Sequence, residues 1–144
     1  MIKNLFKKQK KENQNDKYLP IIALLVHAAK IDEKYTETEK TIIKKVIMEL
    51  NKTSLDKSKK ILEIAEKAEK KEQESNQIVE FTREIKKNSM KFRLKIIEIL
   101  WKIIYSDGTS DIYETNLIRR ICGLLYVSDK ESGMIKLKVK NKQN

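Results

Sequence analysis

Apolar residues recur along this chain at helical spacing, and they do so twice. Ile42, Ile43, Val46, Ile47 and Leu50 fall at i, i+1, i+4, i+5 and i+8, which lines one face of an α-helix. Leu117, Ile118, Ile121, Cys122 and Leu125 repeat that pattern 75 residues later. Upstream, Ile21, Ile22, Leu24 and Leu25 correspond to Ile96, Ile97, Ile99 and Leu100 in the same register. Between these runs Asp32 corresponds to Asp107 and Glu39 to Glu114, so both halves keep an Asp-to-Glu spacing of seven. Matching apolar positions alone would be weak. The acidic spacing and two flanking periodicities in one register predict a duplicated helix–loop–helix unit.

The pattern as a whole predicts an all-α domain of about seven helices, two pseudo-repeated halves around two central apolar helices. The first helix spans Lys17–Lys30, with Pro20 tolerated in its first turn. It is apolar nearly all round except for His27, which corresponds to Lys102. Lys91, Lys95, Glu98 and Lys102 form one charged stripe at spacings of four, three and four, so His27 is expected to face solvent. The second helix starts after Thr36, whose spacing to Glu39 is that of a capping box, and ends near Leu50. The third starts at Thr53 or Ser54, carries Leu55, Ile61, Leu62, Ile64, Ala65 and Ala68, and runs into Glu69–Glu74, read as a solvated helix end. Ser75 is expected to cap a fourth, with Ile78, Phe81, Thr82 and Ile85 inward. Ser89 opens the second central helix, Met90–Tyr105; Leu25, Leu100 and Trp101 are expected in the core. Asp111 with Glu114, and Ser128 with Glu131, signal caps for the last two helices. The last reaches Lys140, although Gly133 and the alternation Ile135, Leu137, Val139 work against a helical stripe there.

Composition narrows the picture without changing it. Three glycines and one proline in 144 residues argue against an all-β fold rich in tight turns. One cysteine and one histidine exclude an internal disulfide and a Cys/His zinc site. The length suits one domain that buries roughly two-thirds of its unfolded surface. The chain divides into a basic N-terminal segment, residues 1–15, expected to be flexible, a helical domain over 16–140 and a tail, 141–144. No secretory signal is visible, and the apolar runs Tyr18–Ala29 and Ile96–Tyr105 are too short, or too interrupted by Glu98 and Lys102, to span a bilayer. The expected location is the cytoplasm, with peripheral contact at the inner membrane open to the basic segment.

The net charge of +11 is concentrated at the two ends. Residues 1–20 carry six lysines against Glu12 and Asp16, and residues 134–144 carry four lysines and no acid. Only Arg83, Arg93, Arg119 and Arg120 are arginine, which speaks for a coding bias and against a nucleic-acid reader, where fork-shaped arginines serve best. Ile2, Leu5 and Phe6 share one side of a candidate helix ringed by lysines. Within residues 1–12 this reads either as an anchor for an anionic membrane surface or as a solvated terminus.

Candidate chemistry is sparse. There is no nucleophile–histidine–acid set and no Gly-rich phosphate loop, so the chain is not expected to be an enzyme. Cys122 corresponds to Ile47 and reads as a small core residue. The acidic loops are the one candidate site. Asp32, Glu39, Asp107, Asp111 and Glu114 are hard oxygen donors suited to Ca²⁺, Mg²⁺ or Mn²⁺. If the halves pack about a pseudo-twofold axis, the loops can share one end of the domain. The spacing lacks the position 3 and position 12 ligands of an EF-hand. Helix capping explains the glutamates and Asp111, with Gly108 suited to the left-handed residue that closes the second central helix. It does not require Asp32 or Asp107.

Ile104-Tyr-Ser-Asp107-Gly108-Thr-Ser-Asp-Ile-Tyr-Glu114, Leu117-Ile-Arg-Arg-Ile121 and Leu124-Leu-Tyr-Val-Ser-Asp129 resemble the TerB-like family, which takes its name from a tellurite-resistance protein. A similar domain opens the membrane co-chaperone DjlA. Ile78-Val-Glu-Phe-Thr-Arg83 and Leu100-Trp101 are similar to single-domain bacterial members. The resemblance covers about residues 16–140 and implies an all-α fold of about seven helices. It also implies divalent-metal binding through Asp32, Glu39, Asp107 and Glu114, and a role in metal or envelope stress. Glu33 stands where the family's Ala-Asp-Gly pattern has glycine; a side chain is strained at positive φ, so the first loop is expected to differ in shape. No His-Pro-Asp is present, so no J-domain role follows. The functional expectation is a non-enzymatic, metal-responsive interaction module with a protein partner. The rival is a basic-tailed binder of membrane surface or nucleic acid.

Overall fold

The computed structural model describes residues 17–71, 74–107 and 112–143. Among them are seven helices and no strand: α1 (Leu19–Lys30), α2 (Glu37–Asn51), α3 (Leu55–Lys71), α4 (Glu74–Lys86), α5 (Met90–Ile104), α6 (Ile112–Leu125) and α7 (Asp129–Gln143). Tyr105–Asp107 extend α5 by one 3₁₀ turn. The basic segment, Gly108 and Asp111 lie outside the described residues.

α1 is enclosed because its sequence leaves no polar face. Ile21 through Val26 are buried consecutively, and α2, α3, α4 and α5 all pack on it. Pro20 sits in the first turn, where a missing N–H has no intrahelical partner to lose. α5 buries Ile96, Ile97, Ile99, Leu100, Trp101, Ile103 and Ile104. Leu25, Leu100 and Trp101 are in the core as the periodicity predicts. Each fully buried Leu or Ile side chain contributes about 1.5–3 kcal/mol relative to exposure, so these two helices hold the domain together. Trp101 also fixes a neighbour: its Nε1 donates to Ser132 Oγ of α7 at 3.2 Å, and its ring stacks on Tyr105 with centroids 5.8 Å apart.

The duplication reaches further than the helix–loop–helix unit. α3 packs on α1, and α7, at the equivalent place in the second half, packs on α5. α4 has no counterpart and ties the halves together by packing on both α1 and α6. The equivalent helices α2 and α6 also close alike. Thr53 N–H donates to Met48 O (3.2 Å) and Val127 N–H to Cys122 O (2.9 Å), the long bond of a Schellman motif, with Lys52 (φ 50) and Tyr126 (φ 58) left-handed between. Neither position is glycine, so the sequence carried no mark of either closure.

Two caps read from i, i+3 spacing, Thr36 with Glu39 and Ser128 with Glu131, form as expected, and that of Asp111 with Glu114 falls outside the described residues. Thr36 and Glu39 make a full capping box; Ser89 Oγ accepts from Phe92 N–H (3.2 Å) and Ser128 Oγ from Glu131 N–H (3.1 Å). Other expectations are corrected. Ser75 lies inside α4, which starts at Glu74. α7 continues to Gln143; its inward stripe is Ser132, Ile135 and Val139 at spacings of three and four, and Leu137 is exposed, so the apparent alternation is not a strand. Leu55 and Ile64 are exposed on α3. Glu69 is buried instead of solvated, because it continues the Ile61–Ala65 stripe by another four residues and lies over the end of α1. His27 is covered by that same end of α3, with a side chain only 13% exposed. Lys102 on the equivalent stripe of α5 stays 40% exposed, paired with Glu98 at 3.5 Å.

Candidate functional site

The first acidic loop leaves α1 through a tight turn. Glu33 N–H donates to Lys30 O at 3.0 Å, and Glu33 takes φ 66, the left-handed conformation that glycine adopts without strain. The expected penalty is thus accepted in place, not avoided by a change of conformation at this residue. Lys34 N–H donates to Asp32 Oδ1 at 2.9 Å, an Asx-type turn. Four residues on, the N–H and Oγ1 of Thr36 both donate to Glu39 Oε1 (2.8 and 3.0 Å), and Glu39 N–H donates back to Thr36 Oγ1 (3.1 Å). Glu39 and Glu114 are both buried at 4% exposure, at equivalent positions in the first turns of α2 and α6.

The predicted carboxylates therefore divide by environment. Asp32 is half-exposed with one oxygen committed to its own turn; Glu39 and Glu114 are buried at helix starts. Asp107 closes the 3₁₀ turn after α5, and its side chain lies outside the described residues. Among the described residues no three His, Cys, Asp or Glu side chains converge to hold a metal. The hard-oxygen donor chemistry suits Ca²⁺, Mg²⁺ or Mn²⁺, whereas capping accounts for the bonds between Glu39 and Thr36.

Beside this loop is a group the periodicity concealed. Glu69 takes Lys30 Nζ at 2.8 Å on one oxygen and His27 Nδ1 at 3.3 Å on the other, with its own side chain 11% exposed. A buried carboxylate needs such partners, since an unpaired charge there would be strongly disfavoured. The signal that could have found it is Glu69's place on the apolar stripe of α3. This cluster forms one wall of a cleft of about 520 Å³. Ile31 and Glu33 of the first acidic loop line the cleft, and so do Tyr113, Asn116 and Arg120 of α6, which follows the second acidic loop. The cleft thus joins the two repeated segments at one end of the bundle.

A chain with this helical repeat and these acidic turns matches the family model described as "Tellurite resistance protein TerB" over residues 19–137. The chain belongs to the TerB family. No curated protein and no solved structure compared with it gives a significant match. In this TerB domain the matched region takes in all of α1 to α6 and most of α7, both acidic loops included.

Two further groups complete the electrostatics of the TerB domain. Burial raises the Tyr35 phenol well above its ordinary pKa, and the carboxylate of Glu66 adds to the shift. Tyr35 also lies under Lys40, whose Nζ is 4.8 Å from the ring centroid. Burial likewise pushes the Cys122 thiol up, although Ser132 partly opposes it. A buried thiol with a raised pKa is a poor nucleophile, which agrees with its reading as a core residue.

Proposed function

We propose that this TerB domain is a non-enzymatic interaction module whose acidic end responds to divalent cations and whose setting is metal or envelope stress. One observation supports the reading above the others: the cleft is lined jointly by the first acidic turn and by the start of α6, directly after the second. A change in charge at either turn therefore acts on a surface that both halves share. Asp32, Glu39, Asp107 and Glu114 are the residues that would hold the cation, which would supply positive charge to oxygen ligands. The chain's own contribution is to hold the surrounding surface. Lys30 and His27 fix the end of α1 to α3 through Glu69, and the strained turn at Glu33 is held against that anchor.

Calorimetric titration of the wild type, Asp107→Asn and Glu114→Gln with Ca²⁺, Mg²⁺ and Mn²⁺ tests this. Saturable heat is expected for the wild type with at least one ion, and a loss of about tenfold or more in affinity for each variant. The metal-free melting temperature should barely change for Glu114→Gln, since glutamine completes the same capping box. No heat and no thermal shift in the wild type, or undiminished binding by both variants, would leave capping as the whole role of these residues.

A further inference from the structure

A second surface shares no residue with the acidic end. Between the first turns of α5 and the middle of α7 runs an open groove of about 590 Å³. Its apolar lining is Phe92, Leu94 and Ile135, each half-buried, and its polar lining includes Lys91, Lys95 and Glu98. The walls are fixed. Ser132 of α7 is pinned by the Trp101 indole, Val139 is buried, and Lys136 lies over the Trp101 ring at 5.3 Å, which leaves Ile135 on the flank that faces the groove. Met90 at the start of α5 and Met134 beside Ile135 are also exposed, and flexible thioethers suit a surface that adapts to another side chain.

We propose that this groove receives an amphipathic helix of a partner protein, one whose apolar stripe is flanked by acidic residues. Charge decides among the occupants. The acid at the groove, Glu98, is shared between Lys95 (3.8 Å) and Lys102 (3.5 Å). Its partial burial would raise its pKa, yet Lys95, Lys102 and Lys138 hold the carboxyl below its usual range. Lys91 adds a further cation, and Lys138, Lys140 and Lys142 continue along α7. A second copy of the chain would bring the same cationic face against this one. The chain's own first 20 residues, with six lysines against two acids, would do likewise. An anionic bilayer satisfies the charge, but a flat surface does not fill a concave floor. A helix with leucines at i, i+3 or i+4 and i+7 and glutamates alongside satisfies both shape and charge.

The test uses the full isotope-labelled chain and a synthetic helix of about 18 residues, leucine on one stripe and glutamate elsewhere. A control peptide carries lysine for every glutamate. Saturable amide shifts centred on Phe92, Leu94 and Ile135 are expected with the acidic peptide and not with the control. Exposed Lys91→Glu should weaken binding about tenfold, and raising salt from about 50 to about 300 mM should weaken it severalfold. Ile135→Ser should also weaken it; because Ile135 is half-buried, Lys91→Glu remains the decisive variant if that one loosens α7. Absent or non-saturable shifts, equal binding of the lysine control, or indifference to Lys91→Glu would overturn the proposal. It is also overturned if phosphatidylcholine vesicles one-quarter phosphatidylglycerol bind through Lys91 while the peptide does not, which assigns the groove to lipid. Shifts at the groove on deleting residues 1–12, without any peptide, would assign it to the chain's own N-terminus.

Discussion

Glu69, His27 and Lys30 show how a residue's surroundings can reverse its reading. Each looks solvated by composition: a glutamate in a charged run, a lysine at a helix end, a histidine on an outward stripe. Together they form a part-buried cluster, because the end of α3 lies over the end of α1 and Glu69 bonds to both of the other side chains. Tyr35 is a comparable case with a measurable consequence. Its phenol is raised by burial and by Glu66, so the folded protein keeps it protonated above its ordinary value of 10.0. A raised pKa gives stability that is complete below the unfolded value and is lost as pH climbs beyond it. Tyr35→Phe removes that titration. Its melting temperature should fall less than that of the wild type between about pH 8 and about pH 11. Equal losses in thermal scans would mean that Tyr35 ionises as freely folded as unfolded.

At the scale of elements, helix starts were legible because caps are local. Thr36 with Glu39 and Ser128 with Glu131 satisfy N–H groups three residues away, and that spacing is visible in any sequence. How the helices close was not legible, although their ends at Lys30 and near Leu50 were: Lys52 and Tyr126 take left-handed φ without being glycine, held by bonds back to Met48 and Cys122. The start of α4 was misplaced by two residues, since a cap at Ser75 would start the helix at Asn76 and it starts at Glu74. Thr36→Ala should lower unfolding free energy by about 0.5–2 kcal/mol in denaturant titration, because it removes the hydroxyl that accepts from Glu39 N–H, while the backbone N–H of residue 36 can still donate to Glu39. Glu39→Gln should be milder, as the amide oxygen can still accept from Thr36. An equal or greater loss with glutamine would show that the charge of Glu39, not the box, sustains α2.

At the scale of the whole molecule, the duplicated halves are joined by α4 and share one core, while most of the +11 charge lies at the chain ends. No helix among the described residues is long and apolar enough to cross a membrane. Deleting residues 1–12 should leave the helical circular dichroism and cooperative unfolding intact, since the core begins at Ile21. It should reduce partitioning to anionic vesicles, with each lysine near the surface worth at most about 1 kcal/mol and the effect fading at high salt. Unchanged partitioning would leave the segment as a solvated terminus with no part in membrane attraction.

Sequence by itself determined the helix count and the two central helices, because apolar periodicity says which side of a helix must leave water and caps mark the starts, and it determined the internal repeat once the Asp-to-Glu spacing of seven joined that periodicity. Resemblance in the acidic turns and their flanks pointed to the TerB family, and the matched model bears that out. Tertiary structure alone decided which equivalent positions stay equivalent. His27 and Lys102 occupy the same place in the repeat, yet Glu69 of α3 covers the first while the second stays open beside Glu98. It also decided that the first acidic turn and α6 line one cleft, and that Ile135 flanks a groove edged by lysine. A sequence repeat fixes what each helix must bury. Only the packing of α3, α4 and α7 around the two halves determines what each helix meets.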